Sequence, residues 1–276
     1  MKEPVTPKRD LVFKKIFGEK GHEKITKDFL EAILDIEIED LTLDLSTNLY
    51  PEQLKGKECQ VDVRVRLKDG TQVNVEMQTD QSDYSDKRCL NYWARLYARQ
   101  IKSGDDYHLL QKTICIWIIN GTLMPEFQDF QSDWKIIDEK HGITARFNDL
   151  EFHIIELKKF REDDTITPSK KNFWLWFIDY TNREMVNMAC RSEKEIKAAK
   201  EVYDRLTADK ELMDYFDRVD MAESTRKMRE TNIRDEGRVE GILETAKRML
   251  EENMDVALIE KVTGLTKDEI EALKNA

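Results

Sequence analysis

Residues 59–78 read Cys59-Gln60-Val61-Asp62-Val63-Arg64-Val65-Arg66-Leu67-Lys68-Asp69-Gly70-Thr71-Gln72-Val73-Asn74-Val75-Glu76-Met77-Gln78. Val61, Val63, Val65 and Leu67 alternate with polar residues, and so do Val73, Val75 and Met77, which is the period of a half-buried strand. Lys68-Asp69-Gly70 lies between the two runs as a hairpin loop. The loop length follows from the pattern. A two-residue Asp-Gly loop would pair Leu67 with Gln72 and set apolar against polar along the ladder. A three-residue loop with Gly70 in the left-handed region pairs Leu67 with Thr71 and Val63 with Val75, which keeps the apolar faces together. That register sets Asp62 opposite Glu76, with β-carbons ~5 Å apart.

Outward from the hairpin, the pattern predicts a mixed α/β domain. Phe13 and Phe17 stack at i,i+4 in a helix over residues 8–18, ended by Gly18. A second helix covers 22–34 with Ile25, Phe29 and Ile33 on one stripe, and Leu41, Leu43 and Leu45 alternate as a strand. After the hairpin, 84–103 is an amphipathic helix. Leu90, Trp93, Tyr97 and Ile101 form its apolar stripe, and Arg88, Tyr92, Arg95, Arg99 and Lys102 form another. Ile114 to Ile119 is an apolar run typical of a strand buried on both faces. A loop-rich stretch leads to a last strand at 152–157.

Beyond residue 165 the chain becomes helical. A helical face of Trp174, Phe177, Ile178, Met185 and Met188 runs through 168–190. From Arg191 to Glu240, 26 of 50 residues are charged, 12 basic and 14 acidic, as in long solvent-laced helices. Helices over 242–253, 256–262 and 267–274 close the chain, with Gly264 at a turn and Thr266 as an N-cap. The last two suggest a helix-turn-helix, but residues 251–276 hold three lysines against seven acids, a net of −4. A recognition helix needs the opposite sign, so the segment is expected to be a packing or oligomerisation hairpin. The expected division is 1–165 and 166–276.

Composition sets the limits. The 276 residues are 40% hydrophobic with 24 aromatics (11 Phe, 8 Tyr, 5 Trp), enough for a real core. The longest apolar runs are far below the ~20 residues of a membrane span, and no apolar stretch follows the charges of MKEPVTPKRD. The expectation is a cytoplasmic protein without a membrane partner. A net charge of −11 argues against nucleic acid coating the whole surface, while leaving room for a local basic groove. Four dispersed cysteines and four unpaired histidines indicate neither a disulfide framework nor a thiolate or imidazole metal site. Any metal chemistry must rest on carboxylates.

Two readings of Asp62 and Glu76 compete. Paired carboxylates on a sheet face raise a pKa or hold a cation, and Gln78 on the same face can orient a water. Alternatively they are the solvated side of an ordinary hairpin, with Arg64 as salt-bridge partner. The basic stripe of the following helix divides the same way, between phosphate contact and a plain exposed face. Asp10 is a third acid or an N-terminal helix charge, and Lys14 and Lys15 divide likewise.

The block Lys8-Arg9-Asp10-Leu11-Val12-Phe13-Lys14-Lys15-Ile16-Phe17-Gly18 resembles the opening of the Rpn family of recombination-promoting nucleases and transposase-like proteins. That family belongs to the PD-(D/E)XK nuclease superfamily. The resemblance continues through Val61-Asp62-Val63, Val75-Glu76-Met77-Gln78, the Arg88 to Gly104 helix and Asp106-Tyr107-His108-Leu109-Leu110. It extends to the Glu-Gly echo at 236–241 and to Thr263-Gly264-Leu265. It implies a restriction-endonuclease-like core, αβββαβ, and Mg²⁺- or Mn²⁺-dependent hydrolysis of DNA, linked to recombination or mobile elements. Asp62 and Glu76 match the metal-binding acids, with the Met77 carbonyl as a further ligand and Asp10 as the acid of the first helix. Gln78 stands where the superfamily more often has lysine, and Lys14 or Arg88 is left to supply that charge. Lys14, Arg88, Tyr92 and Arg95 are the expected substrate contacts. A homodimer through the C-terminal helices would supply two sites for two strands. The alternative is an inactive nuclease fold that binds a partner through its charged helices.

Overall fold

The computed structural model describes residues 5–44, 62–79, 85–143 and 146–274. In it, strands β2 (Val63–Leu67) and β3 (Gln72–Gln78) form the hairpin, with Val63 opposite Val75 and Val65 opposite Val73. The Leu67 N–H donates to the Thr71 carbonyl at 2.9 Å and the Gly70 N–H donates to the Leu67 carbonyl at 3.0 Å. Gly70 has φ +94°, where a side chain would be strained. This is the three-residue loop that the alternation requires. Strand β1 (Leu41–Leu43) pairs outside β2. Leu45, Cys59 and Val61, all assigned to strands from the sequence, lie outside the described residues.

Helix α3 (Ser85–Ala98) carries the chain from β3 to β4 (Thr113–Ile119), which pairs parallel with β3 and is buried along its whole length. Strand β6 (Leu150–Glu156) pairs parallel with β4, and β5 (Gln131–Lys135) closes the sheet antiparallel to β6. The order is β1-β2-β3-β4-β6-β5. The helix, strand, hairpin, helix, strand sequence is therefore the mixed α/β core that was expected. The loop-rich stretch before residue 150 contains β5, whose Gln-Ser-Asp-Trp-Lys offers a single large apolar side chain and so no visible alternation.

One face of the sheet packs on helices α1 (Asp10–Phe17) and α2 (Glu23–Leu34), and α5 (Lys170–Asp179) packs on α2. Phe13 and Phe17 lie 4.6 Å apart, and Phe17, Phe29 and Trp174 meet within 6 Å of one another. The other face packs on α3, through Cys89, Tyr92 and Leu96 against Cys115, Trp117 and Ile154. The stripe expected to be apolar is turned partly away: Leu90 is 51% exposed, and Trp93 and Tyr97 are half-buried. Trp93 and Tyr97 still anchor α3, donating to the Thr113 carbonyl at 3.0 Å and to Asp149 at 2.6 Å.

Helix α4 (Leu157–Glu162) follows β6, and α5 is followed by α6 (Arg183–Ser192) and α7 (Lys194–Ala208). The helical face expected through 168–190 is split where Tyr180 adopts φ +59° and the Asn182 side chain caps Met185. By its contacts the chain divides after Ala208 rather than at 165. Asp28 of α2 accepts from Trp174 Nε1 at 2.9 Å and pairs with Lys170 at 2.6 Å, while buried Asp179 pairs with Lys8 at 3.0 Å and Arg161 at 2.5 Å. Those bonds hold residues 166–208 to the sheet domain, although in composition the segment is closer to the C-terminal helices.

The second unit holds α8 (Lys210–Glu251), α9 (Val256–Thr263) and α10 (Lys267–Lys274). The helix start expected at Ile242 lies inside α8, which passes Gly237 and Gly241 without a break. Ala246, Ile259 and Ile270 form its small core. Gly264 turns the chain at φ +74°, and Thr266 and Glu269 cap each other reciprocally at 2.8–3.3 Å. Among the described residues no helix is long and apolar enough to cross a membrane.

Candidate active site

The β2–β3 register, carried one residue back from Val63 and Val75, sets Asp62 opposite Glu76. Asp62 is half-buried and its Oδ2 accepts from the Met77 N–H at 2.7 Å. Glu76 is completely buried. Its Oε1 accepts from Asn74 Nδ2 at 3.1 Å, and its Oε2 has no hydrogen-bond partner among the described residues. A buried carboxylate oxygen without a donor is costly. Arg64, the salt-bridge partner expected for a solvated hairpin face, pairs instead with Asp44 at 2.8 Å. For Glu76 the solvated-face reading therefore fails.

Burial first, and then the nearby Asp10 charge, push the Asp62 carboxyl up to about 7, against the pull of the Met77 N–H, Lys14 and Arg88. Burial, and then the Asp62 charge, hold Glu76 well above the usual carboxylate range, against the pull of Asn74 and Arg88. Lone charged carboxylates would be unfavourable here, and a cation between them removes the penalty. The donors are all oxygens, as a hard divalent ion prefers, and they suit Mg²⁺ and Mn²⁺ alike. Among the described residues no three His, Cys, Asp or Glu side chains converge as a metal cage.

Arg88 joins the acids to α3. Its Nη1 donates to Gln78 Oε1 at 2.9 Å and its Nε donates to Tyr92 Oη at 3.1 Å. Its guanidinium lies 5.2 Å from the centre of the Tyr92 ring and 6.0 Å from that of Trp117. Tyr92 is buried against Trp117, so it holds Arg88 rather than meeting a ligand with its ring face. Lys14 acts on Asp62 from α1, whose end is fixed close by: a Cβ on Gly18 would lie 3.5 Å from the Asp62 carbonyl. Asp10 is the first residue of α1 and reaches Asp62 through its charge. Arg95 bonds Asn91 one turn away.

Two site residues were not singled out from the sequence. Asn74 lies two residues before Glu76 on the same strand, so the period of two already places it beside Glu76. Trp117 stands directly opposite Glu76 on β4, and its buried Nε1 is also without a partner among the described residues. That parallel pairing has no local signal.

A second buried carboxylate on the same sheet has the opposite surroundings. Glu151, near the start of β6, accepts from His153 Nε2 at 2.8 Å and pairs with Lys112 at 2.5 Å. The His153 ring also meets Asp133 at 2.7 Å through Nδ1. With the His153 bond as the largest cause, and despite burial, the Glu151 carboxyl is lowered to about 2.

Comparison with protein families gives two matches. Residues 7–228 match a model described as PD-(D/E)XK nuclease family transposase. Residues 240–275 match the Rpn/YhgA-like nuclease family, C-terminal HTH domain. No curated protein and no solved structure matches the chain. The second match corrects the rejection of a helix-turn-helix on charge. The core of Ala246, Ile259 and Ile270 and the turn at Gly264 set that shape, whereas charge bears on what it binds.

Proposed function

The chain belongs to the PD-(D/E)XK nuclease family transposases, and we propose that it is a metal-dependent DNA endonuclease whose cation is held by Asp62 and Glu76. The observation that carries this reading is the buried Glu76 Oε2, without a partner among the described residues, on a strand that sets Glu76 opposite a second carboxylate across one hairpin. When bound, a divalent cation supplies Lewis acidity toward a phosphate oxygen and lowers the pKa of a water.

Asp62 and Glu76 would hold the ion, with the Met77 carbonyl as a further ligand. Met77 N–H holds Asp62, and Asn74 holds Glu76, so both carboxylates keep their orientation. Arg88 fixes Gln78, whose amide then orients the attacking water. Glutamine brings no charge, and Arg88 supplies from α3 the cation that the family pattern more often places on the strand. Arg88 and Lys14, which already act on the Asp62 carboxyl, would meet a bound phosphate, and Asp10 would add negative charge at a bound ion. Two strands need two sites, so the reading includes a pair of chains, for which the C-terminal helices are one meeting surface.

The test is nicking of supercoiled plasmid with Mg²⁺ or Mn²⁺, with EDTA, and with Asp62→Ala. Metal-dependent nicking that the variant loses is the expected result. Full activity in a folded Asp62→Ala protein would remove the site assignment. One observation favours a second reading, a nuclease fold used to bind a protein partner. Helix α10 carries Asp268, Glu269 and Glu271 where a DNA-reading helix would be basic. Absence of nicking in a folded chain across several metals would favour that reading.

A further inference from the structure

We propose that the outer edge of β5 is the docking surface for a second copy of this chain, joined through an antiparallel β5–β5 ladder centred on Trp134. The proposal rests on the sheet edge and not on the metal site. The Glu156 N–H donates to the Phe130 carbonyl at 2.8 Å, so the even-numbered residues after Phe130 turn their backbone groups toward β6. Gln131, Asp133 and Lys135 therefore turn theirs outward, and among the described residues β5 is the last strand in the sheet order.

An open edge is usually short, charged or covered, and this one continues into an apolar patch. Trp134 is 39% exposed, Ile136 43% and Ile137 55%, with Phe127, Ile143 and Phe147 at 41–71%. The Phe127 and Trp134 rings lie 6.2 Å apart. Exposed large apolar side chains along a sheet edge mark an interaction site.

Charge selects both the partner and the register. Opposed residues of an antiparallel pair share a face, so a two-fold ladder is centred on a residue. Full overlap of β5 with itself would centre on Asp133 and set two carboxylates against each other. A centre at Lys135 would oppose two ammonium groups. With the centre at Trp134, Asp133 of each copy faces Lys135 of the other, twice over. The two Trp134 rings then meet in the closer, non-hydrogen-bonded pair. Lys135 thus serves as a complement to Asp133 and not only as an edge guard.

Sedimentation velocity on the full chain tests this. The wild type is expected to dimerise. Asp133→Lys or Lys135→Asp is expected to weaken the dimer by roughly tenfold or more, since each turns two opposed pairs into like pairs. The double swap, Asp133→Lys with Lys135→Asp, is expected to restore it. Asp133 also bonds His153, and Lys135 lies 3.5 Å from Glu151, so single swaps can disturb the strand itself. Trp134→Cys avoids this: on oxidation it should give a covalent dimer on a non-reducing gel, which the wild type and a Tyr107→Cys control do not. A monomeric wild type overturns the proposal. So does a dimer that the swaps leave unchanged, a double swap that fails to restore pairing, or a Trp134→Cys protein that does not cross-link.

Discussion

Glu76 and Glu151 are both buried carboxylates on the same six-stranded sheet, and their surroundings differ in almost every respect. Glu151 has His153 and Lys112 in contact and its carboxyl is lowered to about 2. Glu76 has one amide donor, a second carboxylate across the hairpin and an oxygen with no partner among the described residues, and its carboxyl is raised. The first arrangement stabilises the fold with what the chain itself contains. The second leaves a buried acid that the described residues do not neutralise. A partner-poor acid in a sheet core is therefore informative about function, whereas a well-paired acid is informative about stability.

The largest expected effect lies at the partner-poor end. Asp62→Ala or Glu76→Gln should lower cleavage by ~10³-fold, measured as initial nicking rates with Mg²⁺, whereas Glu151→Gln should leave them within a few-fold of wild type. Arg88→Ala should cost ~10²-fold, because on the proposed reading it removes a cation that would meet the phosphate, and it frees Gln78. Gln78→Lys tests the same substitution of roles. If Arg88 has taken over the strand lysine's charge, Gln78→Lys combined with Arg88→Ala recovers part of the lost rate.

Stability should reverse the ranking. Glu151→Gln breaks a buried, paired network and should lower the unfolding free energy by about 1–3 kcal/mol in urea. Glu76→Gln in metal-free protein relieves repulsion and should raise it by about 1 kcal/mol. The pH dependence separates them further. The Glu151 carboxyl is lowered on folding, so its contribution is fully present above its unfolded value near 4.5 and is lost as pH falls toward 2. Asp62 is raised on folding, so the native state binds that proton more tightly, and stability falls as pH rises from near 4 through about 7. The stability gained from Asp62→Asn should therefore be largest at pH 8 and vanish below pH 4. Equal gains at both pH values would contradict the assignment.

The hairpin that carries the site was legible because period-two alternation and a glycine loop leave a single acceptable register. Asp62 opposite Glu76 follows from that register alone. The rotation of α3 on the sheet was not legible. Leu90, Trp93, Tyr97 and Ile101 and the neighbouring stripe are both plausible inner faces, and the parallel pairing of β3 with β4 decides between them. For that reason the Arg88–Gln78 bond, and Tyr92 as a buried support rather than a contact, appear only in three dimensions. The boundary after Ala208 was hidden because α5 is fixed to the sheet domain by Asp28, which bonds Trp174 and Lys170, and by the pairing of its own Asp179 with Lys8 and Arg161, contacts made across long stretches of sequence. The C-terminal helix-turn-helix was set aside because its charge is that of a poor DNA reader, although its turn and cap were correctly read at Gly264 and Thr266.

The most direct test of the contrast between the two acids is calorimetric titration of Mn²⁺ into full-length wild type, Glu76→Gln and Glu151→Gln at pH 7.5. The expected result is binding by wild type and by Glu151→Gln, with loss of binding in Glu76→Gln while its fold is retained. Unchanged binding in Glu76→Gln, or loss confined to Glu151→Gln, would contradict the assignment of the cation to the partnerless carboxylate.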